Sequence, residues 1–228
     1  MAVACPAYFC LFNAVAHFRD SISNDFVESQ VDSLTTFSSP NLNRHSCSSE
    51  SHMRFTENMI VGSWSIDPDS HEDERGKFFR AWCSREFAEH GIDFTPVQAN
   101  MGLSHRKGTI RGMHLQLAPA LEAKLVRCTR GSIFDVVLDL RPDSVTYRKW
   151  YGTELSDENG RMLYVPEQCA HGYQTLQDNT EMFYMTSAFY SPDVTRGVRF
   201  DDPAFSIHWP LPATAISEQD RNWPMLNR

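Results

Sequence analysis

From Met59 to the C-terminus, the chain is a series of short apolar segments separated by turn-forming residues, and this pattern limits the fold more than any other feature. The segments IVGSWSI, GKFFRAW, MLYVP, HGYQTL and EMFYMTSAFY have the lengths and residue types of β-strands. Helical patterns do not alternate with them as they would in a parallel α/β fold. The sequence therefore predicts an all-β sandwich or barrel.

Residues 84–91, SREFAEHG, carry the end signals of a single short helix. Serine favours the N-cap and glycine favours the position just past the end, so we predict a helix with Ser84 at its N-cap and Gly91 beyond it. Further on, KLVRC and SIFDVVLDL are separated by Thr129, Arg130 and Gly131. This spacing predicts a hairpin-like turn between two strands.

Side-chain alternation within two strands points to a cavity. In SIFDVVLDL, Asp135 and Asp139 share one face with isoleucine and valine. That face could line a cavity, or it could be the solvated face of an edge strand. In EMFYMTSAFY, Tyr184 and Tyr190 are an even number of residues apart. Both side chains are therefore expected to face one cavity, although strand tyrosines more often serve packing.

The first 52 residues differ in composition from the rest of the chain. Residues 18–52 are rich in Ser, Asn and Thr without sustained apolar periodicity, so we expect disorder there. Residues 1–17 lack the positive charge that begins a signal peptide, and Pro6 and Asn13 make them a poor membrane span. We therefore predict a disordered or dispensable extension over residues 1–52 and one folded domain over residues 53–228.

Charge and cysteine content limit the partners and the compartment. The formal net charge is −8, which argues against nucleic-acid binding. Six Lys or Arg residues nevertheless lie between His105 and Arg130, where they could bind a phosphate ester or form a solvated face. None of the six cysteines has the CxxC spacing of a zinc or redox site. We expect reduced thiols in a cytoplasmic protein that binds neither nucleic acid nor membrane.

His114, in the segment RGMHLQ, raises the question of what a single histidine does inside a β-rich stretch. A metal site requires several converging ligands, and the next candidate, His171, lies far along the chain. His171 could also be a core histidine that is hydrogen-bonded to the backbone. We therefore predict neither a metal nor another cofactor.

The residue types around His114 suit proton transfer next to a carbonyl group. Histidine is a base whose pKa lies near neutral pH. Lys124 could stabilise the enolate oxygen that forms, and Tyr184 could return a proton from the opposite face. A carboxylate should orient the imidazole, and Asp220 and Asp135 are both candidates.

Several motifs, in order along the chain, resemble those of the dTDP-4-dehydrorhamnose 3,5-epimerases. They include RGMHLQ, KLV, GSIFDVVLDLR, SVTYRKW, YVPEQCAHGYQTL, YMTSAFYSP, DDPAFSIHWPL and ISEQD, with spacing like the family's from about Met53 to the C-terminus. The resemblance implies a cupin-type double-stranded β-helix jelly roll that is dimeric and free of metal and cofactor. It also implies inversion of C3 and C5 of a dTDP-4-keto-6-deoxyhexose on the way to dTDP-L-rhamnose.

The resemblance further implies roles for individual residues. His114 matches the catalytic base, Asp220 its dyad partner, Tyr184 the proton donor and Lys124 the lysine near the keto group. The substrate-binding positions are Tyr190, which would stack on thymine; Arg111, near the diphosphate; His171; Gln98 and Asn100 on a contact strand; and Arg75 and Phe78, which would reach the neighbouring subunit's site.

Two positions depart from the family pattern at the nucleotide end. Arg80 and Thr195 stand where the family usually has glutamates. The proton-transfer set is complete, so we expect a nucleotide-sugar epimerase, while the nucleotide, the sugar and the number of inverted carbons stay open. The alternatives are a single-carbon epimerase or ketoisomerase on another nucleotide sugar, or a non-catalytic cupin that binds sugar nucleotides.

Overall fold

The structure, a computed structural model, describes residues 52–226. The predicted extension, residues 1–52, lies outside the described residues except for His52. Within the described range the chain forms thirteen strands and two short helices, which confirms the all-β prediction. The strands are β1 (Arg54–Glu57), β2 (Trp64–Asp67), β3 (Ser70–Asp73), β4 (Gly76–Phe79), β5 (Gln98–Ser104), β6 (Ile110–Gln116), β7 (Lys124–Arg130), β8 (Ser132–Asp139), β9 (Trp150–Ser156), β10 (Met162–Val165), β11 (Cys169–Thr175), β12 (Thr180–Thr186) and β13 (Thr195–Gly197), and the helices are α1 (Ser84–Glu89) and α2 (Glu218–Arg221).

Two antiparallel sheets face each other in a jelly roll. One has the order β1-β2-β10-β7-β12-β5 and the other the order β13-β6-β11-β8-β9, while β3 and β4 form a separate hairpin. The core between the sheets contains Val126 and Leu163 from the first sheet and Ile133 and Val137 from the second. From β5 onward, consecutive strands other than β8 and β9 enter different sheets, so residues distant in sequence are brought together across this core.

The predicted hairpin around Gly131 is wrong. β7 pairs with β10 and β12, whereas β8 pairs with β11 and β9, so the chain crosses from one sheet to the other at this turn. Gly131 has a φ of +76°, which suits a sharp corner as well as a hairpin. Local turn chemistry therefore identified the turn but not the strands that pair.

Strand β8 lies in the interior of its sheet, so the alternative of a solvated edge strand is wrong. One face packs into the core between the sheets, and Val136 and Leu138 on the other face pack against Phe205 and Trp209 from the C-terminal segment. Asp139 does not line a cavity: Arg141 and the hydroxyls of the following loop bind its carboxylate. Burial opposes ionisation, but these hydrogen bonds outweigh it and lower the pKa of Asp139.

Helix α1 covers the outer face of the six-stranded sheet. It begins one residue before the predicted position, with Cys83 rather than Ser84 at the N-cap, and Gly91 follows its end with a φ of +71° as predicted. Its buried Phe87 packs with Leu125 of β7. The helix thereby ties the first strands of the domain to the sheet that carries half of the site.

Candidate active site

A deep cleft opens between the two sheets and consists of two adjacent cavities. The larger has a volume of about 720 Å³ and the smaller about 320 Å³. Both are lined by Asn100, His114, Lys124, Tyr184 and Gln219. Four of the residues predicted from the sequence therefore meet at the junction of the two cavities.

His114 and Asp220 form a hydrogen-bonded dyad at this junction. The distance from His114 Nε2 to Asp220 Oδ1 is 2.5 Å, and the Asp220 side chain is 4% exposed whereas that of His114 is 40% exposed. An ionised carboxylate can only accept, so Nε2 donates and Nδ1 keeps the lone pair that a base requires. The imidazole is thus accessible to a ligand while its partner is shielded from water.

Several donors converge on the Asp220 carboxylate. The Gly112 amide donates to Oδ2 at 3.2 Å, and the Trp223 indole donates to Oδ1 at 3.3 Å. Burial raises the pKa of Asp220, but the hydrogen bond and charge of His114 together with the Gly112 amide outweigh it, so the pKa lies below its usual value. Asp220 is therefore held as a carboxylate.

Local sequence explains why Asp220 reaches this position. The Ser217 side chain accepts a hydrogen bond from the Asp220 amide and caps α2. Gly197 of β13 lies opposite His114, and a Cβ there would come within 2.4 Å of the Trp223 ring. The glycine lets Trp223 lie close to the strand, from which its ring meets His114 edge-on at 6.2 Å.

Tyr184 and Lys124 occupy the opposite wall of the cleft. They lie on β12 and β7 of the six-stranded sheet, whereas His114 lies on β6 of the five-stranded sheet. Burial raises the pKa of Tyr184, the charge of Glu122 raises it further, and Arg111 opposes the shift. The phenol is therefore kept protonated, and the Lys124 ammonium, which is buried, is paired with Glu122.

A second histidine–carboxylate pair lies next to the first. His171 of β11 is directly opposite His114 of β6 in the strand register and lines the larger cavity. Its Nε2 lies 2.7 Å from Asp135 Oδ1, so this nitrogen has a carboxylate partner rather than the backbone partner of the alternative interpretation. Burial raises the pKa of the fully buried Asp135, while the charge and hydrogen bond of His171 oppose the shift. Of the two candidate partners for His114, the structure selects Asp220.

The smaller cavity brings together the residues predicted at the nucleotide end. Gln98, Tyr190 and Thr195 all line it. The Gln98 amide donates to Asn100 Oδ1 at 3.0 Å, and its oxygen accepts from the Tyr190 backbone amide at 3.2 Å. The hydrogen bond from its backbone amide therefore holds Tyr190, whose ring is exposed, at the edge of the smaller cavity. Tyr184 lines the same cavity, which confirms the expectation that the two tyrosines face one cavity.

Arg111 lies at the mouth of the larger cavity. Its guanidinium donates to Ser104 Oγ at 3.3 Å and to the Leu103 carbonyl at 3.2 Å, and both acceptors are neutral. The positive charge is available to an anion there.

Three residues of the N-terminal part line neither cavity in this chain. Arg75 is bound to Asp73, and the Phe78 ring, 75% exposed, lies on the hairpin β3–β4. Arg80 donates to the buried carboxylate of Glu86 at 2.5 Å, and Glu86 also accepts from the Met53 amide at 2.8 Å. Arg80 thus contributes an ion pair beside helix α1 rather than a wall of this cleft.

Sequence reasoning missed several residues of the cleft. Gln219 lies within ISEQD, next to the predicted Asp220, and lines both cavities. Glu122 lies two residues before the predicted Lys124, and this spacing is a signal that could have indicated a paired charge. Gln116 ends RGMHLQ but bonds to residues more than seventy positions away, which no local pattern reveals.

A jelly roll whose cleft places an oriented histidine opposite a phenol and an ammonium defines an isomerase that acts by proton transfer. The model of the dTDP-4-dehydrorhamnose 3,5-epimerase family matches residues 57–228, and the chain belongs to this family. The prediction made from the ordered motifs is confirmed.

Individual relatives agree with this assignment. A dTDP-4-dehydrorhamnose 3,5-epimerase of Sinorhizobium fredii is 45% identical over 162 residues, which cover 71% of this chain and 83% of the relative. A dTDP-4-dehydrorhamnose 3-epimerase of Streptomyces niveus is 38% identical over 164 residues, which cover 72% of this chain and 79% of the relative. The crystal structure of the Bacillus anthracis 3,5-epimerase with TDP and pyrophosphate bound is 36% identical, with a TM-score of 0.74 and coverage of 76% of this chain and 99% of that one.

Two features are absent from residues 52–226. No helix in this range is long and apolar enough to span a membrane. No three His, Cys, Asp or Glu side chains in the same range are grouped so that they could hold a metal ion.

Proposed function

We propose that the chain inverts C3 and C5 of a dTDP-4-keto-6-deoxyhexose by proton abstraction and reprotonation. The observation that carries this proposal is the placement of His114 and Tyr184 on facing sheets around one cleft. A sugar carbon held between them can lose a proton on one side and gain one on the other. Inversion requires that geometry, because a single acid–base group on one face would restore the original configuration.

In the first half-reaction, His114 removes the proton next to the keto group. The C–H electron pair forms the enolate double bond, and the carbonyl electrons move to the oxygen. Lys124 supplies the positive charge that stabilises this oxygen, in a site where burial strengthens the interaction. Asp220 stabilises the imidazolium that results and holds its Nε2 proton in place.

In the second half-reaction, Tyr184 gives its phenolic proton to the same carbon from the opposite face. The enolate returns to a ketone, His114 then loses its extra proton to solvent, and the Tyr184 phenolate takes up a proton from solvent. The raised pKa of Tyr184 keeps the donor protonated at neutral pH. Repeating the two half-reactions at the other carbon flanking the ketone completes the double inversion.

The nucleotide is assigned to the smaller cavity and the rim of the larger one. Tyr190 offers an exposed aromatic ring on which thymine can stack, and Arg111 offers an unneutralised guanidinium for the diphosphate. His171 lines the cleft between these parts and the dyad. Gln98 and Asn100 present amide groups to the sugar and base.

A homodimer is part of the proposal, with Arg75 and Phe78 completing the cleft of the neighbouring subunit. Two features support it. The Phe78 ring is exposed on the hairpin, and the edge strand β5 exposes Met101 and Leu103 on its outer face. A protein that sediments as a monomer at micromolar concentration with full activity would contradict the dimer.

We also infer a cytoplasmic location. The thiols of Cys128 and Cys169 are buried, which raises their pKa values to about 11 and about 12, as suits reduced structural cysteines. Subcellular fractionation with an antibody against the chain tests this inference, and recovery in the membrane fraction would contradict it.

A single-carbon epimerase is the second candidate, because the Streptomyces niveus relative is a dTDP-4-dehydrorhamnose 3-epimerase. Incubation with a dTDP-4-keto-6-deoxyhexose in D₂O, followed by NMR, separates the candidates. We expect deuterium and inverted configuration at both C3 and C5. Exchange at one carbon identifies the second candidate, and binding without exchange identifies a non-catalytic protein. Parallel reactions with UDP, GDP and CDP sugars define the nucleotide.

A further inference from the structure

Glu122, in the loop before β7, is a carboxylate of the cleft that has no part in the two half-reactions. It is 9% exposed and lines the smaller cavity together with Lys124 and Tyr184. Its Oε1 accepts a hydrogen bond from the Lys124 ammonium, and its Oε2 accepts one from Gln116 Nε2 at 3.4 Å. A buried carboxylate in this place affects both the cation and the acid of the reaction.

The contacts of Glu122 make it an anchor for Lys124. A lysine side chain has many rotamers, and an ion pair selects one of them. The partner that holds Glu122 is itself fixed: the Gln116 amide donates to the Ala120 carbonyl at 3.2 Å and accepts from the Ser191 amide at 2.6 Å. The ammonium is therefore held against a network that extends to the loop between Tyr190 and Thr195.

The charge of Glu122 also acts on Tyr184. After burial, this charge is the larger of two electrostatic effects on the phenol, and Arg111 acts in the opposite direction. The other titratable groups that line the cleft around Tyr184 from the surrounding elements are Lys124, His114, His171, Tyr173 and Asp220. Glu122 lines the same cavity as the phenol, and its negative charge acts on Tyr184 and is paired with Lys124.

We propose that Glu122 is a positioning residue of the epimerase: it fixes the Lys124 ammonium at the substrate keto oxygen and keeps Tyr184 in the phenol form that donates the proton. The inference rests on the proposed function, since it assigns a role relative to those two residues. The Glu122 side chain has two properties that bear on this role, its hydrogen-bonding oxygen and its negative charge. Each property can be changed while the other is kept.

Glu122→Gln removes the charge and keeps an oxygen that can accept from Lys124. Net inversion requires the phenol, so we expect the alkaline limb of the kcat/KM profile for inversion to move to lower pH, because the pKa of Tyr184 falls when the negative neighbour is lost. Deuterium exchange at the pH optimum should change little. Spectrophotometric titration of the tyrosinate form, with Tyr184→Phe as the reference, reports the same shift without substrate.

Glu122→Asp keeps the charge and shortens the anchor by one methylene group. We expect deuterium exchange to slow by on the order of tenfold, because the ammonium is displaced from the keto oxygen. The alkaline limb should stay closer to that of the wild type than it does in Glu122→Gln. This variant tests the anchor even if the glutamine variant fails to fold.

Glu181→Gln is the matched control. Glu181 lies on β12 with Tyr184, but it pairs with Arg130 and does not line the cleft. Its removal should leave both the exchange rate and the alkaline limb unchanged.

Three results would overturn the assignment: an unshifted limb in Glu122→Gln, an equal shift in Glu181→Gln, or unchanged exchange in Glu122→Asp. Absence of exchange in the wild type would instead contradict the proposed function, so the two failures are distinguishable.

Discussion

The two histidine–carboxylate pairs of the cleft are alike in geometry and opposite in electrostatics. His114 lies 2.5 Å from Asp220 and His171 lies 2.7 Å from Asp135, on strands that are hydrogen-bonded neighbours. Asp220 also accepts from a backbone amide and an indole, whereas Asp135 Oδ2 is buried and has no hydrogen-bond partner within residues 52–226.

Burial, which is complete for Asp135, and the larger number of donors around Asp220 together account for this contrast. The pKa of Asp220 is lowered although burial opposes ionisation, while burial raises that of Asp135. A carboxylate held in its charged form can stabilise an imidazolium, which a base must become. The contrast therefore supports the proposal that His114 abstracts the proton and that His171, whose side chain is only 8% exposed, binds the substrate.

The largest difference in deuterium exchange should lie between variants of the two histidines. His114→Ala removes the base, so deuterium exchange at C3 and C5 should fall by on the order of 10² to 10⁴-fold. His171→Ala should raise KM with a smaller effect on exchange at saturating substrate. NMR in D₂O measures both variants, and equal losses of exchange would remove the distinction between the pairs.

The next largest difference in deuterium exchange should lie between variants of the two carboxylates, Asp220 and Asp135. Asp220→Asn leaves an amide that cannot stabilise the imidazolium, so exchange should slow by about 10²-fold or more while the variant stays folded. Asp135→Asn should have a smaller effect on exchange because it acts through His171. Exchange rates test this ranking, and circular dichroism checks that both variants are folded. Faster deuterium exchange in Asp220→Asn than in Asp135→Asn would contradict it.

The pH dependence of stability should also differ in sign. The pKa of Asp220 is lowered in the folded state, so its stabilisation is present above the unfolded pKa and is lost as the pH falls through the folded pKa. The pKa of Asp135 is raised, so its contribution is present at low pH and is lost as the pH rises through the folded pKa.

Urea unfolding over a pH series measures this difference. The stability deficit of Asp220→Asn should shrink on acidification, whereas that of Asp135→Asn should shrink as the pH rises. Parallel curves for the two variants would contradict the opposite shifts.

Removing residues 1–52 should have the smallest effect. Met53 is buried and its amide donates to Glu86, so the chain is already attached to the domain at this residue. A chain beginning at Met53 should keep the melting temperature and turnover of the full chain. Aggregation or lost turnover of the shorter chain would show that the extension is required.

Much of the site followed from sequence because the motifs keep fixed spacing. His114, Lys124 and Tyr184 were predicted and line one cleft. The hairpin at Gly131 was not predicted correctly, because a sharp turn has the same residues whether the next strand pairs with the last or crosses to the other sheet. The Ser84 cap was wrong by one residue, since the helix begins at Ser84 after an extended Cys83.

By itself, the sequence determined the strand-rich class, the family, and the residue types that can move a proton, because these depend on local pattern and on the order of motifs. The residue pattern left Asp220 and Asp135 open as partners of His114, and the family resemblance implied Asp220. Only the tertiary structure decided that Asp135 pairs with His171. Asp220 is 106 residues from His114 along the chain, and Asp135 is 36 residues from His171. The pairing depends on the register of β8 and β11 and on the packing of α2 against β6, and the ionisation of each carboxylate depends on its burial and on donors brought from separate segments. No local pattern contains either.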